Sequence, residues 1–269
     1  MTTMTELAPA IGTAIHTTVD TLMSGELSAQ IRELLEQRGV IAFPGIKLSD
    51  EQQVAFSRTL GTVVEEGENN IYKITMDPTE NSMAEYLKGA FFWHIDGTMS
   101  AMPIFASIMS AKRLSPVGGD TEFSNTYAAF DALPEPEKAG LEKLRVVHTF
   151  EATQRYVIPE PSYAMLQQWQ QYADKELPLV WTHRSGRKSL VLGSTADYVV
   201  GMTPRESAAL LCRLRDWATQ PQFTYSHKWT VGDLVIWDNT GTMHRATQYP
   251  LDSGRMMHRT KLEGEEPVV

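Results

Sequence analysis

Three segments of the chain carry apolar residues at helical spacing, with residues that commonly cap helices at their ends. In the first segment, Ile31, Leu34 and Leu35 share one helical face. In the other two, a Ser or Thr is followed three positions later by Gln or Glu, which is the spacing of a capping box. The pattern predicts helices over residues 28–37 with Gly39 as the C-terminal cap, from Ser49 to Gly61, and from Thr203 to about Trp217.

Short apolar runs, separated by turn residues, fill most of the remaining chain. The turns are most distinct at 116–120 and 252–254, where Gly, Pro, Asp and Ser cluster. Helices near the N-terminus followed by many short strands favour a mainly β architecture with flanking helices (α+β), either a double-sheet barrel or a sandwich. The predicted strands are 40–43, 71–76, 91–95, 104–111, 121–125, 144–150, 189–192, 234–238 and 255–262.

The domain organisation is simple, because the chain shows no internal repeat and no linker rich in Pro, Ser or Gly. We therefore expect residues 1–269 to form a single domain. The stretch around 151–180 has weak strand character and several aromatic residues. We interpret it as an insertion that forms a lid over a site.

Composition excludes several classes of protein. The 269 residues include one cysteine, Cys212, so neither an intramolecular disulfide nor a cysteine-only metal site is expected. A net charge of -9 argues against a nucleic-acid partner. No window approaches the ~20 apolar residues that span a bilayer, and residues 1–10 do not resemble a secretory signal. We therefore expect a cytoplasmic protein without nucleic-acid or membrane partners.

His94 and Asp96 form the first cluster that can carry chemistry. Side chains two residues apart on a strand point to the same face, so the imidazole and the carboxylate would project together. With a third ligand from elsewhere they would form the facial triad of non-haem Fe(II) oxygenases. About one such spacing is expected by chance among seven histidines. A local hydrogen bond between the two side chains is therefore the alternative interpretation.

A second cluster, near the C-terminus, combines a histidine with two arginines. His244 follows a strand and a polar loop, and Arg255 and Arg259 share one face of the next predicted strand. Two inward-facing arginines are unfavourable to bury unless anions meet them. The anions that we consider are a dicarboxylate cosubstrate and a substrate. The alternative is that both arginines pair with internal carboxylates such as Glu66 or Asp120.

Together these residues resemble the TauD/TfdA family of Fe(II)/2-oxoglutarate-dependent dioxygenases. The resemblance extends over most of the chain, from Phe43 to Leu262, and its separated elements agree in order and spacing. Thr121 lies 27 residues after His94, and the two arginines lie 11 and 15 residues after His244. The elements are His94-x-Asp96, Gly118-Gly119-Asp120-Thr121, Trp237-Asp238-Asn239, His244, and Arg255 with Arg259.

The resemblance implies a single catalytic domain with the double-stranded β-helix, or jelly-roll, fold. It also implies that the enzyme uses Fe(II), 2-oxoglutarate and O2 to oxidise an unactivated C–H bond of a small anionic substrate, producing succinate and CO2. A hydroxyl group introduced beside a heteroatom leaving group would lead to cleavage. The implied roles are iron binding for His94, Asp96 and His244, 2-oxoglutarate binding for Thr121 and Arg255, a wall of the metal site for Trp237, and contact with the substrate anion for Arg259.

Two observations bear on the substrate and the reaction. Taurine-specific members of the family carry an Asn where this chain has Ala90, and a His and a Tyr in the loop that here is acidic (62–70), so taurine is not implied. The alternative functions are a zinc-dependent hydrolase that uses the same three residues and a non-catalytic jelly-roll binding protein. The sequence does not decide between a sulfonate, a sulfate, an aryloxyalkanoate and an amino-acid-derived acid, between hydroxylation and cleavage, or whether the chain forms a homo-oligomer.

Overall fold

Short strands dominate the architecture of residues 2–269, which a computed structural model describes. Most of them have three to five residues and are joined by turns or single helices. The strands are β1 (Thr3–Glu6), β2 (Thr13–His16), β3 (Val40–Phe43), β4 (Tyr72–Ile74), β5 (Ala106–Arg113), β6 (Thr121–Asn125), β7 (Arg145–His148), β8 (Lys175–Pro178), β9 (Val180–Thr182), β10 (Lys188–Leu190), β11 (Ala196–Val199), β12 (Thr224–His227), β13 (Leu234–Asp238), β14 (Thr242–Ala246) and β15 (Met256–Leu262).

The helices lie outside the main sheets, and within residues 2–269 none of them is long and apolar enough to cross a membrane. Two short 3₁₀ helices, Tyr86–Phe91 and Pro221–Phe223, supplement the α-helices. The α-helices are α1 (Val19–Met23), α2 (Ser28–Arg38), α3 (Asp50–Leu60), α4 (Thr126–Asp131), α5 (Glu135–Leu141), α6 (Phe150–Val157), α7 (Tyr163–Trp169) and α8 (Pro204–Ala218).

Two sheets pack against each other and enclose the interior of the protein. The larger sheet has seven strands in the order β1-β2-β3-β13-β5-β15-β4, and its partner has three in the order β12-β6-β14. β13 lies between β3 and β5 and is antiparallel to both, so the N-terminal and C-terminal parts of the chain meet in one sheet. Phe123 of β6 packs 5.5 Å from Trp237 of β13, ring centre to ring centre, and so joins the two sheets. Two further sheets, β11-β7-β8 and β10-β9, complete the strand pairing.

Alternation of side chains along the seven-stranded sheet separates two apolar layers. Ile41 and Phe43 of β3 pack with the helices α1–α3, whereas Val40 and Ala42 face the interior between the sheets. β13 alternates in the same way, with Val235 and Trp237 on the interior side. Because both faces of these strands are buried, their sequences are continuous apolar runs. This arrangement confirms the predicted class, mainly β with flanking helices.

The helix predictions are confirmed where the sequence carries capping residues. α2 ends at Gly39, whose φ of 72° suits glycine. α3 and α8 begin at capping boxes formed by Ser49 with Gln52 and by Thr203 with Glu206. A capping interaction that can be recognised in the sequence therefore defines one end of each helix: the C-terminus of α2 and the N-termini of α3 and α8.

The predicted strand 91–95 is wrong. Residues 86–91 form a 3₁₀ helix, and only His94 makes a bridge to another strand. Of the aromatic residues that suggested a strand, Phe92 packs on Tyr156 of α6 at 4.9 Å between ring centres, and Phe91 packs on Tyr249 at 5.4 Å. His94 and Asp96 therefore do not lie two residues apart on a regular strand, and their side chains converge for a different reason.

The segment 151–180, interpreted above as an insertion, contains most of α6, all of α7 and β8. α6 covers its first part, α7 follows, and β8 pairs with β7. α6 packs beside the 3₁₀ helix at 86–91, where Phe150 and Tyr86 lie 6.1 Å apart between ring centres. α6 and this 3₁₀ helix therefore both lie close to the segment that carries His94.

Asp238 is a buried carboxylate on the helix-facing side of β13. Its side chain accepts hydrogen bonds from the backbone N–H and the hydroxyl of Thr240, at 2.7 and 2.6 Å. The residue is 2% exposed. Burial raises the pKa of Asp238 to about 6 from the ordinary 3.8, against the opposing effect of these hydrogen bonds. The folded state therefore prefers the protonated acid, and the free energy of unfolding should fall as the pH rises from about 4 to about 6.

Replacing this carboxyl by an amide should make the protein less sensitive to pH. Asp238→Asn keeps an acceptor oxygen for Thr240 but cannot ionise. We expect the variant to be more stable than the wild type by about 2–3 kcal/mol at pH 7.5, and by much less at pH 4.5. Urea unfolding at the two pH values measures the difference, with Asp252→Asn as an exposed control. A gain that does not change with pH would contradict the assignment.

Candidate active site

An isolated antiparallel β-bridge joins the backbone of His94 to that of His244 in β14. The backbone N–H of His94 donates to the carbonyl of His244 at 3.0 Å, and the reverse bond is 2.9 Å long. The two imidazole rings consequently lie side by side, 4.1 Å apart between centres. On the other side of the segment, Ser194 N–H donates to the carbonyl of Trp93. Gly193 approaches so closely that an added Cβ would lie 3.0 Å from the Cα of His94, so a glycine is needed there.

Asp96 reaches the same point from the turn that follows His94. One carboxylate oxygen lies 3.7 Å from His94 Nε2 and the other lies 3.8 Å from His244 Nε2. Ligand atoms of the three residues all fall within 4.8 Å of one another. Two imidazoles and one carboxylate on one side of a common point are a donor set that suits Fe(II) with open coordination positions. The residues present therefore fit an iron ion.

Both histidines can offer a free lone pair to a metal. His94 Nδ1 lies 2.8 Å from the carbonyl of Phe92, which can only accept, so the proton is on Nδ1 and Nε2 is free. Burial, together with the neighbouring His94, holds the pKa of His244 well below its ordinary value. Burial alone would raise the pKa of Asp96, but interactions led by the positive charge of Arg259 outweigh burial and lower it. The acid is therefore ionised and His244 is neutral near neutral pH, as metal binding requires.

A chain of hydrogen bonds orients the carboxylate of Asp96. The Trp237 indole N–H donates to Asn239 Oδ1, the Asn239 amide donates to the Ser107 hydroxyl, and Ser107 donates to Asp96 Oδ2. The three distances are 2.9, 2.9 and 3.1 Å. Arg259 Nη1 donates to the same oxygen at 3.1 Å. With two donors on Oδ2, the other oxygen is left for a metal ion.

Arg255 is the most deeply buried cation at the site, with 3% of its surface exposed. Within residues 2–269 no carboxylate lies within ion-pair distance of it. Its Nη2 donates to the carbonyl of Gly119 at 3.0 Å, its guanidinium lies over the ring of Tyr249, and its buried Nε has no acceptor. A Cβ at position 119 would lie 2.9 Å from Nε, which explains the glycine there. Burial lowers the pKa of Arg255, as expected for a cation without a carboxylate partner.

Thr121 begins β6 and is also 3% exposed. Its hydroxyl oxygen accepts a hydrogen bond from the Trp229 indole N–H at 2.9 Å. In the part of the chain that the structure describes, this hydroxyl donates to no other group. Thr121 and Arg255 line the same cavity, which also contains the His94, Asp96 and His244 side chains.

Arg259 behaves differently from Arg255, because internal carboxylates meet it. Besides its bond to Asp96, its Nε lies 3.8 Å from Glu66, and Lys261 lies 2.6 Å from the other oxygen of Glu66. The alternative interpretation of an internal ion pair with Glu66 thus holds for Arg259, although not for Arg255. Arg259 also lines the cavity, with 13% of its side chain exposed.

The cavity has a volume of about 310 Å³ and an interior surface that is mainly apolar. α6 and the 3₁₀ helix at 86–91 cover one part of it, and β5, β13 and β15 of the larger sheet cover another. Its polar lining includes the three donor residues, Thr121 and the two arginines, and also Thr153, Gln154, Ser194 and Thr195. The apolar lining includes Ile74, Leu87, Ala90, Ile95, Met109, Phe150 and Trp237.

Comparison with known proteins agrees with this geometry. Residues 3–261 match the family described as taurine catabolism dioxygenase TauD, TfdA family. The chain belongs to the TauD/TfdA family. It is accordingly an oxidoreductase with the jelly-roll fold, a dioxygenase that depends on 2-oxoglutarate (alpha-ketoglutarate), Fe(II) and O2. The predicted fold, enzyme class and cofactors are confirmed.

Individual members of the TauD/TfdA family align over most of the chain. The alpha-ketoglutarate-dependent 2,4-dichlorophenoxyacetate dioxygenase of Cupriavidus pinatubonensis is 34% identical over 253 residues, 86% of each chain. The alpha-ketoglutarate-dependent sulfate ester dioxygenase of Pseudomonas putida is 30% identical over 250 residues, 88% of this chain and 81% of the relative. The crystal structure of AAD-2 in complex with Mn(II) and N-oxalylglycine has a TM-score of 0.86 and 29% identity, and covers 100% of both chains.

Every residue that the sequence singled out for the TauD/TfdA site lies at this cavity, since His94, Asp96, Thr121, Trp237, His244, Arg255 and Arg259 all line it. Three residues that orient these side chains through hydrogen bonds were not predicted: Ser107, Asn239 and Trp229. Asn239 stands in the quoted Trp237-Asp238-Asn239 motif, so its position was visible but its partner was not. Ser107 and Trp229 have no local signal in the sequence, because each touches the site only through pairing of distant strands.

Removing the Ser107 hydroxyl should weaken metal binding. In Ser107→Ala, Asp96 Oδ2 loses one donor and the Asn239 amide loses its acceptor, so the carboxylate is less well oriented. We expect affinity for Mn(II), measured by calorimetry without 2-oxoglutarate, to fall about tenfold. Ser110→Ala is the matched control, since Ser110 is buried on the same strand but bonds to Gln53. Equal affinities of Ser107→Ala and Ser110→Ala would contradict the role of this hydrogen-bond chain.

Proposed function

We propose that His94, Asp96 and His244 bind the iron of this dioxygenase, and that Arg255 and Thr121 bind the distal carboxylate of 2-oxoglutarate. The observation that carries the proposal is the buried guanidinium of Arg255, which has no carboxylate partner within residues 2–269. A buried cation of this kind is unfavourable unless an anion meets it. A carboxylate beside Arg255 would supply that charge and would also accept from Thr121.

The remaining side chains would orient the ligands and exclude water. When bound, Fe(II), 2-oxoglutarate and O2 together oxidise a C–H bond while 2-oxoglutarate becomes succinate and CO2. The Phe92 carbonyl fixes the tautomer of His94, and Ser107 and Arg259 fix the orientation of Asp96. Trp237 forms an apolar wall, with its ring 4.8 Å from that of His244. The reaction would therefore take place in a largely apolar space.

For the primary substrate we propose a small organic anion with an apolar body, of the aryloxyalkanoate class. The apolar lining of the cavity suits an aromatic ring, and Arg259 is the second cation beside the donor atoms. The relative from Cupriavidus pinatubonensis acts on a chlorinated phenoxyacetate, which has this chemistry. Oxidation of the carbon next to the ether oxygen would yield a hemiacetal, which separates into a phenol and a 2-oxo acid. A sulfate ester, the substrate class of the Pseudomonas putida relative, is the second candidate.

We also propose that residues 1–269 form one catalytic domain and that the segment 151–180 covers the cavity. Support comes from α6, whose Phe150, Thr153 and Gln154 line the cavity. Thr153 is joined to Ser194 by a hydrogen bond of 2.7 Å, next to the residue that contacts His94. A cover fixed in this way would separate the polar end of the cavity from solvent.

Anaerobic spectroscopy tests the metal and cosubstrate sites. Addition of Fe(II) and then 2-oxoglutarate should produce a visible charge-transfer band. We expect no band in His94→Ala, and at least a tenfold higher 2-oxoglutarate requirement in Arg255→Ala, since a charged hydrogen bond is lost. Arg245→Ala is the control, because Arg245 neighbours His244 but pairs with Glu122 outside the cavity. Zinc-dependent hydrolysis without O2 uptake would favour the hydrolase alternative, and no metal binding would favour the binding-protein alternative.

Substrate kinetics test the role of Arg259. We expect phenoxyacetate to stimulate O2-dependent succinate formation and to yield phenol, with hexyl sulfate and taurine as comparison substrates. In Arg259→Ala, assayed at saturating Fe(II), the KM for phenoxyacetate should rise more than tenfold, whereas 2-oxoglutarate turnover without substrate should change less than twofold. Mn(II) affinity should fall about as much as in Ser107→Ala, because Asp96 Oδ2 loses one donor in either variant. If turnover without substrate falls as much as substrate affinity, Arg259 supports Asp96 rather than the substrate.

A further inference from the structure

Trp229 contacts the site only through the side chain of Thr121. It lies in the loop between β12 and β13 and is 9% exposed. Its indole N–H points at the hydroxyl oxygen of Thr121, 2.9 Å away. Trp229 does not itself line the cavity. Any effect that it has on a bound ligand must therefore pass through Thr121.

The direction of this hydrogen bond determines what the Thr121 hydroxyl can do. An indole nitrogen is a donor only, so the hydroxyl oxygen must be the acceptor. The hydrogen of that hydroxyl is then left for another partner, and within residues 2–269 it has none. The cavity is where an acceptor can reach it, and there the Nε of Arg255 also lacks an acceptor. Trp229 thus leaves Thr121 as a donor toward the cavity.

Trp229 is itself held in one orientation. Its ring meets the ring of His227 edge-on, with centres 4.6 Å apart and planes at 80°. His227 Nε2 donates to Asp233 at 3.1 Å, and His227 Nδ1 accepts from the Tyr225 hydroxyl at 2.9 Å. His227 is also the cross-strand neighbour of Thr121 in the pairing of β12 with β6. The pairing of β12 with β6 therefore holds the indole and the hydroxyl next to each other.

We propose that Trp229 is a positioning residue for 2-oxoglutarate: its indole N–H orients the Thr121 hydroxyl so that the hydroxyl donates to the distal carboxylate beside Arg255. The inference rests on the proposed binding of that carboxylate by Thr121 and Arg255. A hydrogen bond directed at a charged group in advance adds affinity, because no rotational freedom is lost on binding. The effect concerns the distal end of 2-oxoglutarate and not its keto end.

The test compares two keto acids on the Mn(II)-loaded protein by calorimetry. 2-Oxoglutarate has the distal carboxylate, and 2-oxobutyrate lacks it. In Trp229→Phe, which keeps an aromatic ring but has no donor, we expect the dissociation constant of 2-oxoglutarate to rise about five- to tenfold. The dissociation constant of 2-oxobutyrate should change less than twofold. Trp229→Met is a second variant without a hydrogen-bond donor, for use if phenylalanine impairs folding.

Two controls separate positioning from a general loss of structure. Trp217→Phe removes another indole hydrogen bond, that to the carbonyl of Ala129, away from the cavity, and should leave both dissociation constants unchanged. In a Thr121→Val background, Trp229→Phe should have no further effect on 2-oxoglutarate, because its partner is gone.

Equal weakening of both keto acids, or an undiminished effect in Thr121→Val, would overturn the role of Trp229. A wild-type protein that binds the two keto acids equally would instead overturn the binding of the distal carboxylate, and the role of Trp229 with it. The two failures are therefore distinguishable in the same experiment.

Discussion

The burial of positive charge at one end of an apolar cavity is the constraint on which this site depends. Arg255 lies between two sheets with a backbone carbonyl and an aromatic ring as its neighbours, and no carboxylate within residues 2–269 meets it. Such a cation destabilises the protein without its ligand. An anionic ligand that binds the folded state relieves this and stabilises the fold, by an amount that grows with the ligand concentration relative to its dissociation constant. Gly119, whose missing side chain makes room for Arg255, indicates that the chain is built around the guanidinium.

Much of the fold could be predicted because its signals are local. Caps at Ser49, Thr203 and Gly39 define three helices, and apolar runs define β3 and β13 at the centre of the larger sheet. The segment 91–95 misled the prediction because a run of aromatic residues is typical of a strand. Its residues are anchored instead by packing on α6 and by the single bridge to β14. That difference depends on distant partners, which local patterns do not contain.

The difference between local signals and contacts with distant strands also separates the site residues that were predicted from those that were not. The proposed metal ligands and both arginines have chemistry that is conspicuous in the sequence, at spacings typical of the TauD/TfdA family. Ser107 acquires its role because β13 pairs with β5 in the register that sets Trp237 opposite it. Trp229 acquires its contact because β12 pairs with β6. A serine and a tryptophan have no distinctive chemistry alone, so only the register of the sheets reveals what they touch.

The two arginines differ in what already meets them, and this difference bears on specificity. Arg255 is open to an anion, whereas Arg259 is held by Asp96 and by Glu66, which Lys261 holds in turn. Under the proposed function, a substrate anion that binds Arg259 would compete with Glu66 for the same guanidinium, so its charge would gain less than at an arginine without a carboxylate partner. The apolar body would then add to the affinity through contact with the lining of the cavity. A compact, strongly hydrated zwitterion such as taurine would gain least from such a site, and an anion with an aromatic body would gain most.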